Sequence, residues 1–177
     1  MKLKLIGFSI LIVLLIVGCG GEGGESETKS IEEQKASNPN GLTDFEMVNG
    51  IGPIKQKLQL APVNPVKVKM GEEIFNLKCL ACHKIDERFV GPSQRYTADR
   101  RTPEYILNMM LNPDEMTKKH PTGQKMLAEY LSPMTNMNLK MEDAYLVLDY
   151  LRAIAKEGHE KNIPAIPIYK NQQTEQK

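Results

Sequence analysis

The chain has 177 residues, of which 41% are hydrophobic and 25% charged, with 23 basic and 22 acidic side chains. This balance argues against a nucleic-acid partner, because phosphate binding requires a clustered basic excess. Removing residues 1–18, read below as a cleaved leader, takes away two lysines and leaves 21 basic against 22 acidic side chains. The exclusion therefore holds for the mature chain as well.

Residues 1–18 have the pattern of a secretory signal, with two lysines followed by an apolar run over 5–17. The run is shorter than the about 20 apolar residues that a membrane-spanning helix needs, which argues against an uncleaved anchor helix. Ile-Val-Gly-Cys at 16–19 resembles the bacterial lipobox. The resemblance implies that the mature chain begins at Cys19 and that its thiol carries lipid, which would attach the protein stably to a bilayer.

The segment 19–45 is expected to be a flexible tether, because residues 20–41 are rich in Gly, Ser and Glu and nearly free of apolar side chains. Residues 46–65 have scattered apolar side chains among several Gly and Pro, which predicts an irregular lead-in that packs on the domain. The domain itself is predicted over 66–158, followed by a C-terminal extension over 159–177.

Helical periodicity begins at Val68 and continues to Cys79. A second helix is predicted from the hydroxyl cap Thr102, with Pro103 in its first turn. The Asn-Pro pair at 112–113 predicts its end. The methionines of these helices, among them Met70, are predicted to lie in the core.

A third helix is predicted over 122–131, and the last helix is the clearest of the set. Its apolar stripe is followed by Gly158, which is predicted to cap it. No segment alternates with period two for long enough to predict a strand. The predicted fold class is all-α, and the stripe consists of Ala144, Val147, Leu148, Leu151 and Ile154.

The sequence Cys79-Leu-Ala-Cys82-His83 is the attachment signature of c-type haem. Two cysteines three residues apart on one helical turn can each add to a haem vinyl group, and the histidine that follows lies under the iron. A thioredoxin-like redox pair is disfavoured, because it belongs near a βαβ pattern. A structural zinc site is disfavoured too, because it needs four ligands and Cys19 is assigned to lipid.

Further residues resemble class I cytochrome c of the short bacterial monohaem type. Gly71 and Phe75 before the haem cysteines are similar to the family's first helix, in which the glycine allows a close helix crossing. The aromatic residue of that helix packs on one of the last helix, which here implies Tyr150. The resemblance also implies that the carbonyl of Pro92, nine residues after His83, accepts the other imidazole N–H.

The sixth iron ligand is expected from the loop before the last helix. Pro133-Met134 resembles the family's methionine loop, although Thr135 follows where the family usually has proline. Met137 is the fallback ligand, and the absence of any methionine ligand, including ligation by two histidines through His120, is left open. His120 and His159 are otherwise predicted to be solvated surface residues.

The resemblance implies one covalent haem c and no enzymatic activity: both axial positions are filled, and the iron exchanges single electrons. The expected protein is a lipid-anchored carrier in the bacterial cell envelope, facing the periplasm or lying at the outer membrane or cell surface. Its partners would be a respiratory donor complex and a terminal reductase or oxidase. Two short stretches are similar to cytochromes that accompany nitrous oxide reductases, which names one candidate acceptor. The alternative is a haem enzyme or gas sensor with a displaceable sixth ligand.

The small predicted domain leads to a testable expectation about folding. A core of this size is marginal without its cofactor, and small metal domains fold only with their ligand. The variant Cys79→Ala, Cys82→Ala, which cannot attach haem, is expected to be largely unfolded by circular dichroism. A helical spectrum close to that of the haem-loaded protein would contradict this.

Overall fold

The computed structural model describes residues 39–169, and its ordered elements are all helices. The described part of the chain contains no strand. This confirms the all-α prediction. Within residues 39–169, seven helices follow one another: α1 (Asp44–Asn49), α2 (Pro65–Lys78), α3 (Thr97–Arg100), α4 (Pro103–Leu111), α5 (Pro113–Lys119), α6 (Pro121–Tyr130) and α7 (Met141–Glu160).

Proline starts four of these helices, since α2, α4, α5 and α6 each have it in the first turn. Proline fits there because the first amide has no partner within the helix. The pair at 112–113 does end α4, but Pro113 also begins α5, which the sequence analysis did not predict. A side-chain cap supports α4, where the Thr102 hydroxyl accepts from the Tyr105 amide at 3.2 Å.

The central packing is the crossing of α2 over α7. At Gly71 the backbones approach so closely that a Cβ there would overlap the carbonyl oxygen of Leu146. One turn further on, the rings of Phe75 and Tyr150 pack with centroids 5.4 Å apart and planes inclined at 52°. Both expectations from the family resemblance are confirmed. This crossing fixes the C-terminal end of α2, where the haem-attachment motif begins.

Two predictions about single residues are corrected by these helices. Met70 is 48% exposed, because it lies on the outer face of α2. Gly158 does not cap α7, which runs two residues further to Glu160. It is buried inside the helix, where a Cβ would overlap the ring of Tyr96. The glycine is therefore needed for close packing rather than for helix termination.

The lead-in is more ordered than the sequence predicted. Helix α1 begins at Asp44, before the expected boundary at residue 46, and a reciprocal cap between Thr43 and Glu46 stabilises its first turn. The buried amide of Asn108 on α4 then pairs with the chain that follows α1. Its Oδ1 accepts from the Ile54 N–H at 2.9 Å, and its Nδ2 donates to carbonyls of the same segment.

A second, smaller core lies beneath this segment. Four buried side chains form it, and the Ile51 N–H also donates to the sulfur of Met116 at 3.0 Å. The lead-in and the α5 region therefore pack on each other. The four residues are Leu42, Ile51, Tyr105 and Met116.

His120, predicted to be solvated, is only 1% exposed. Its Nε2 lies 3.1 Å from the Glu46 carbonyl oxygen and 3.3 Å from that of Met47. Its Nδ1 accepts from the Thr122 N–H at 3.1 Å and so caps α6. The imidazole therefore joins the end of α1 to the corner between α5 and α6.

This burial predicts a pH-dependent stability. Burial lowers the pKa of His120 below its ordinary value, so the unfolded chain binds the proton more readily. Stability should fall as the pH drops below about 6.5, until the folded-state pKa is passed. His120→Asn keeps a cap acceptor for α6 but loses the link to α1. Denaturant unfolding should show a loss of about 1–3 kcal/mol above neutral pH and a smaller further loss on acidification.

The control for this measurement is His159→Asn, which removes an exposed imidazole at the end of α7. It should keep a pH response close to that of the unaltered protein, because exposed ion pairs contribute little. An unchanged acid response in His120→Asn would contradict the assignment.

Candidate functional site

A cavity of about 230 Å³ lies where the end of α2, the loop that follows it, α4, α6 and α7 meet. Protein cores are normally packed with few voids larger than a water molecule. A cavity of this size in so small a domain therefore indicates a bound group. The lining is mostly apolar and includes Phe75, Ile106, Met110, Leu127, Val147 and Leu151.

The haem-attachment motif forms one wall of this cavity. Helix α2 ends at Lys78, and the chain continues in a tight turn in which the amides of Cys82 and His83 both donate to the Cys79 carbonyl, at 3.0 and 2.9 Å. All three motif side chains line the cavity. The turn therefore presents both sulfurs and the imidazole to one space.

Both cysteines are free thiols in the described structure, Cys79 half-buried and Cys82 exposed. Burial, together with the neighbouring Cys82, raises the pKa of Cys79 to about 11. A thiol–disulfide catalyst requires the opposite, a lowered pKa that keeps the thiolate available near neutral pH. The site therefore disfavours the redox-pair interpretation of this motif.

His83 is held in place by the following loop, in which Gly91 and Pro92 contact the imidazole. Its ring packs on Gly91, where a Cβ would overlap the imidazole. Its Nδ1 lies 3.0 Å from the carbonyl oxygen of Pro92. Burial lowers the pKa of His83, which favours the neutral imidazole that a metal requires.

A second polar group shares the same contacts. The Gln94 side-chain nitrogen donates to the Pro92 carbonyl at 2.9 Å and lies 2.8 Å from Nδ1 of His83. If Nδ1 accepted from Gln94, the imidazole proton would be on Nε2 and no lone pair would face the cavity. Metal binding at Nε2 selects the other tautomer, with Nδ1–H donating to Pro92. The sequence analysis identified Pro92 but missed Gln94.

The loop between α6 and α7 brings both candidate methionines to the cavity. Met134 and Met137 line it, and Met134 also packs against the main core. The Lys78 ammonium donates to the carbonyl of Met137 at 3.4 Å. The core contact favours Met134 as the more firmly positioned thioether.

The remaining two histidines do not lie where they could bind the iron. His120 uses both ring nitrogens in the contacts described above, and it does not line the cavity. His159 is exposed at the end of α7 and pairs with Asp99 at 2.8 Å. Ligation of the iron by two histidines through His120 is therefore contradicted by the structure.

The sequence analysis missed two arginines at the cavity. Arg100 donates to the Ser93 carbonyl and the Thr97 hydroxyl, and the Arg101 guanidinium lies 5.1 Å from the ring centre of Tyr105. Burial and the adjacent charge of Arg101 lower the pKa of Arg100. Within residues 39–169, neither guanidinium forms an ion pair with a carboxylate.

An apolar cavity with two unpaired cations at its edge suits a haem, whose macrocycle is apolar and whose two propionates are anionic. The thiols and the imidazole lie on the same cavity wall, as covalent attachment and iron ligation require. The residues present therefore fit the cofactor predicted from the sequence. The adjacent arginines just before the Thr102-Pro103 helix start were the available sequence signal for the propionate side.

Comparisons with known proteins agree with this geometry. The Cytochrome c family matches residues 68–155. Cytochrome c from Rhodothermus marinus is 39% identical, with a TM-score of 0.60, over 68% of this chain and 99% of the matched one. No similar protein is found among the curated proteins.

An engineered form of that cytochrome, Rma TDE, is 40% identical with a TM-score of 0.59, over 63% of this chain and 96% of the matched one. The same engineered protein bound to a carbene intermediate matches at 40% identity and a TM-score of 0.57, with the same coverage. The fold, the cavity and these similarities show that the chain belongs to the cytochrome c family. It is therefore an electron-carrying haem protein, and its cofactor is covalently bound haem c.

Proposed function

We propose that this protein is a membrane-tethered monohaem electron carrier that passes single electrons from a respiratory donor complex to a terminal reductase or oxidase. In the proposed site, Cys79 and Cys82 would hold the haem, and His83 and Met134 would bind its iron. The observation that carries the proposal is that one cavity brings the attachment motif and the methionine loop together.

The haem supplies reversible one-electron chemistry at iron, and the protein residues set its conditions. His83, oriented through Pro92, and the Met134 thioether would both bind the iron and so fill the two coordination positions that the macrocycle leaves free. A methionine–histidine pair raises the reduction potential relative to two nitrogen ligands. With both positions filled, no coordination site is left for a substrate, which favours electron transfer over catalysis.

The exposed end of the motif suggests where electrons pass. Cys82 and Val90 both line the cavity and are exposed to solvent. A thioether at Cys82 would therefore bring one edge of the macrocycle to the surface, whereas Leu151, which also lines the cavity, belongs to the buried core. A redox partner that covers the Cys82 side would approach the haem most closely.

Membrane attachment is proposed through lipid on Cys19, which lies outside the described residues. Within residues 39–169, no helix is long and apolar enough to cross a bilayer. A flexible segment of about twenty residues has a root-mean-square reach of roughly 25 Å. Such a tether would raise the local concentration of the carrier near membrane-bound partners without any added affinity.

The acceptor is proposed as a terminal reductase or oxidase, with nitrous oxide reductase as the specific candidate. The lead-in motif behind this candidate, residues 50–53, packs on α4, where the Asn108 amide donates to the Gly50 carbonyl at 3.2 Å. The motif thus has a structural role in this chain.

The second candidate function is a haem enzyme or gas sensor with a displaceable sixth ligand. One observation favours it: a related engineered cytochrome is described with a bound carbene intermediate. In this chain, displacement would require the loop that carries Met134 to move out of the cavity. The long-wavelength absorption band of a methionine–iron(III) bond separates the two functions, because a displaced ligand abolishes it.

The axial ligand can be tested with two matched variants. Met134→Ala should abolish the methionine–iron(III) absorption band and lower the midpoint potential, because a soft thioether that favours the ferrous state is lost. Met137→Ala should retain both the band and the potential. The reverse pattern would assign the iron to Met137. Absence of the band in the unaltered protein would support the second candidate function.

The tether can be tested by substituting the lipidated residue. Cys19→Ser is expected to move the haem protein from the membrane fraction to the soluble fraction of the cell envelope, with an unchanged absorption spectrum, because anchoring and haem binding use different cysteines. The unaltered protein provides the control. A serine variant that stays in the membrane fraction would contradict the lipid anchor.

A further inference from the structure

The C-terminal extension returns to the haem cavity. Helix α7 ends at Glu160, and the chain reverses at Asn162, whose φ is 53°. Residues 163–169, here called the strap, then run back along the domain. The strap lies outside the residues 68–155 that match the family. Ile168 of the strap lines the cavity.

The strap is fixed at both ends. At its start, the Ile163 N–H donates to the Gly158 carbonyl at 2.9 Å, and the Tyr96 hydroxyl donates to the Ile163 carbonyl. At its far end, the Ile168 carbonyl accepts two hydrogen bonds, from Arg88 at 2.9 Å and from the Tyr130 hydroxyl at 2.7 Å. These contacts place Ile168 at the cavity wall.

Arg88 and Tyr130, which bind the Ile168 carbonyl, also contact each other. The Arg88 guanidinium lies 3.9 Å from the ring centre of Tyr130 and forms an ion pair with Glu129 at 2.8 Å. The Lys125 ammonium lies 4.3 Å from the ring centre of Tyr169. Arg88 belongs to the loop after the haem-attachment motif, whereas Lys125, Glu129 and Tyr130 belong to α6. The strap therefore joins α6 to that loop beside the cavity.

We propose that the strap is part of the haem-binding site and that Ile168 shields an edge of the cofactor from water. The inference rests on the haem attachment proposed above. Shielding matters for a carrier because ferric haem has one more positive charge than ferrous haem. Water at the edge stabilises that charge, so removing the shield should lower the midpoint potential. It should also allow small oxidants to approach more closely.

The test compares haem-loaded variants of the full-length protein. Ile168→Ala removes the shielding side chain, and Ile166→Ala is the matched control two residues earlier, since Ile166 does not line the cavity. A chain ending after Asn162 removes the strap, and one ending after Tyr169 removes only the polar tail. The midpoint potential and the rate of oxidation are measured with ferricyanide, an anion, and with tris(phenanthroline)cobalt(III), a cation.

Ile168→Ala and the chain ending after Asn162 are expected to have lower midpoint potentials and several-fold faster oxidation by both reagents. The two controls should match the unaltered protein. A steric shield predicts acceleration with either charge, whereas a change in surface charge would speed one reagent and slow the other. Opposite responses, or unchanged potentials and rates in both strap variants, would overturn the inference. A full-length protein that attaches no haem would instead refute the proposed site.

Discussion

The close crossing of α2 and α7 is the contact on which the rest of the structure depends. Gly71 lets the two backbones approach, and the pair Phe75–Tyr150 fixes their rotation. Because Cys79 follows α2 directly, the crossing determines where the attachment turn meets the cavity. The geometry of the functional site therefore depends on a helix contact whose residues are not proposed as iron ligands.

Around this frame, the cavity is surrounded by segments that lie inside and outside the residues matching the family. The α2–α7 crossing, α5 and the methionine loop fall within residues 68–155, whereas the lead-in and the strap lie outside them. The lead-in and α5 stabilise each other through the second core, and Tyr105 belongs to both that core and the cavity lining. Burial raises the pKa of Tyr105 to about 12, so its hydroxyl stays neutral beside the arginines.

The features that could be predicted are those formed by residues close together in the sequence. The spacing of Cys79, Cys82 and His83 lies within one turn, and the stripe of α7 repeats over several turns, so both are visible without a structure. Helix α5 was missed because Pro113 was interpreted only as a stop, although proline also starts helices. The burial of His120 was missed because its neighbours in sequence are lysines, and its partners at 46–47 are far away along the chain. The strap has no periodicity at all.

The amide of Asn108 has a mechanical consequence for a protein attached to a surface by its N-terminus. If the chain were anchored through lipid as proposed, thermal force on the N-terminal segment would reach the helices first at α1. Directly after α1, the chain is held by hydrogen bonds that the Asn108 side chain donates to the carbonyls of Asn49, Gly50 and Ile54. These bonds would carry the load in parallel, before any of it reached α2. The iron ligands would therefore be isolated from strain arising at the anchor.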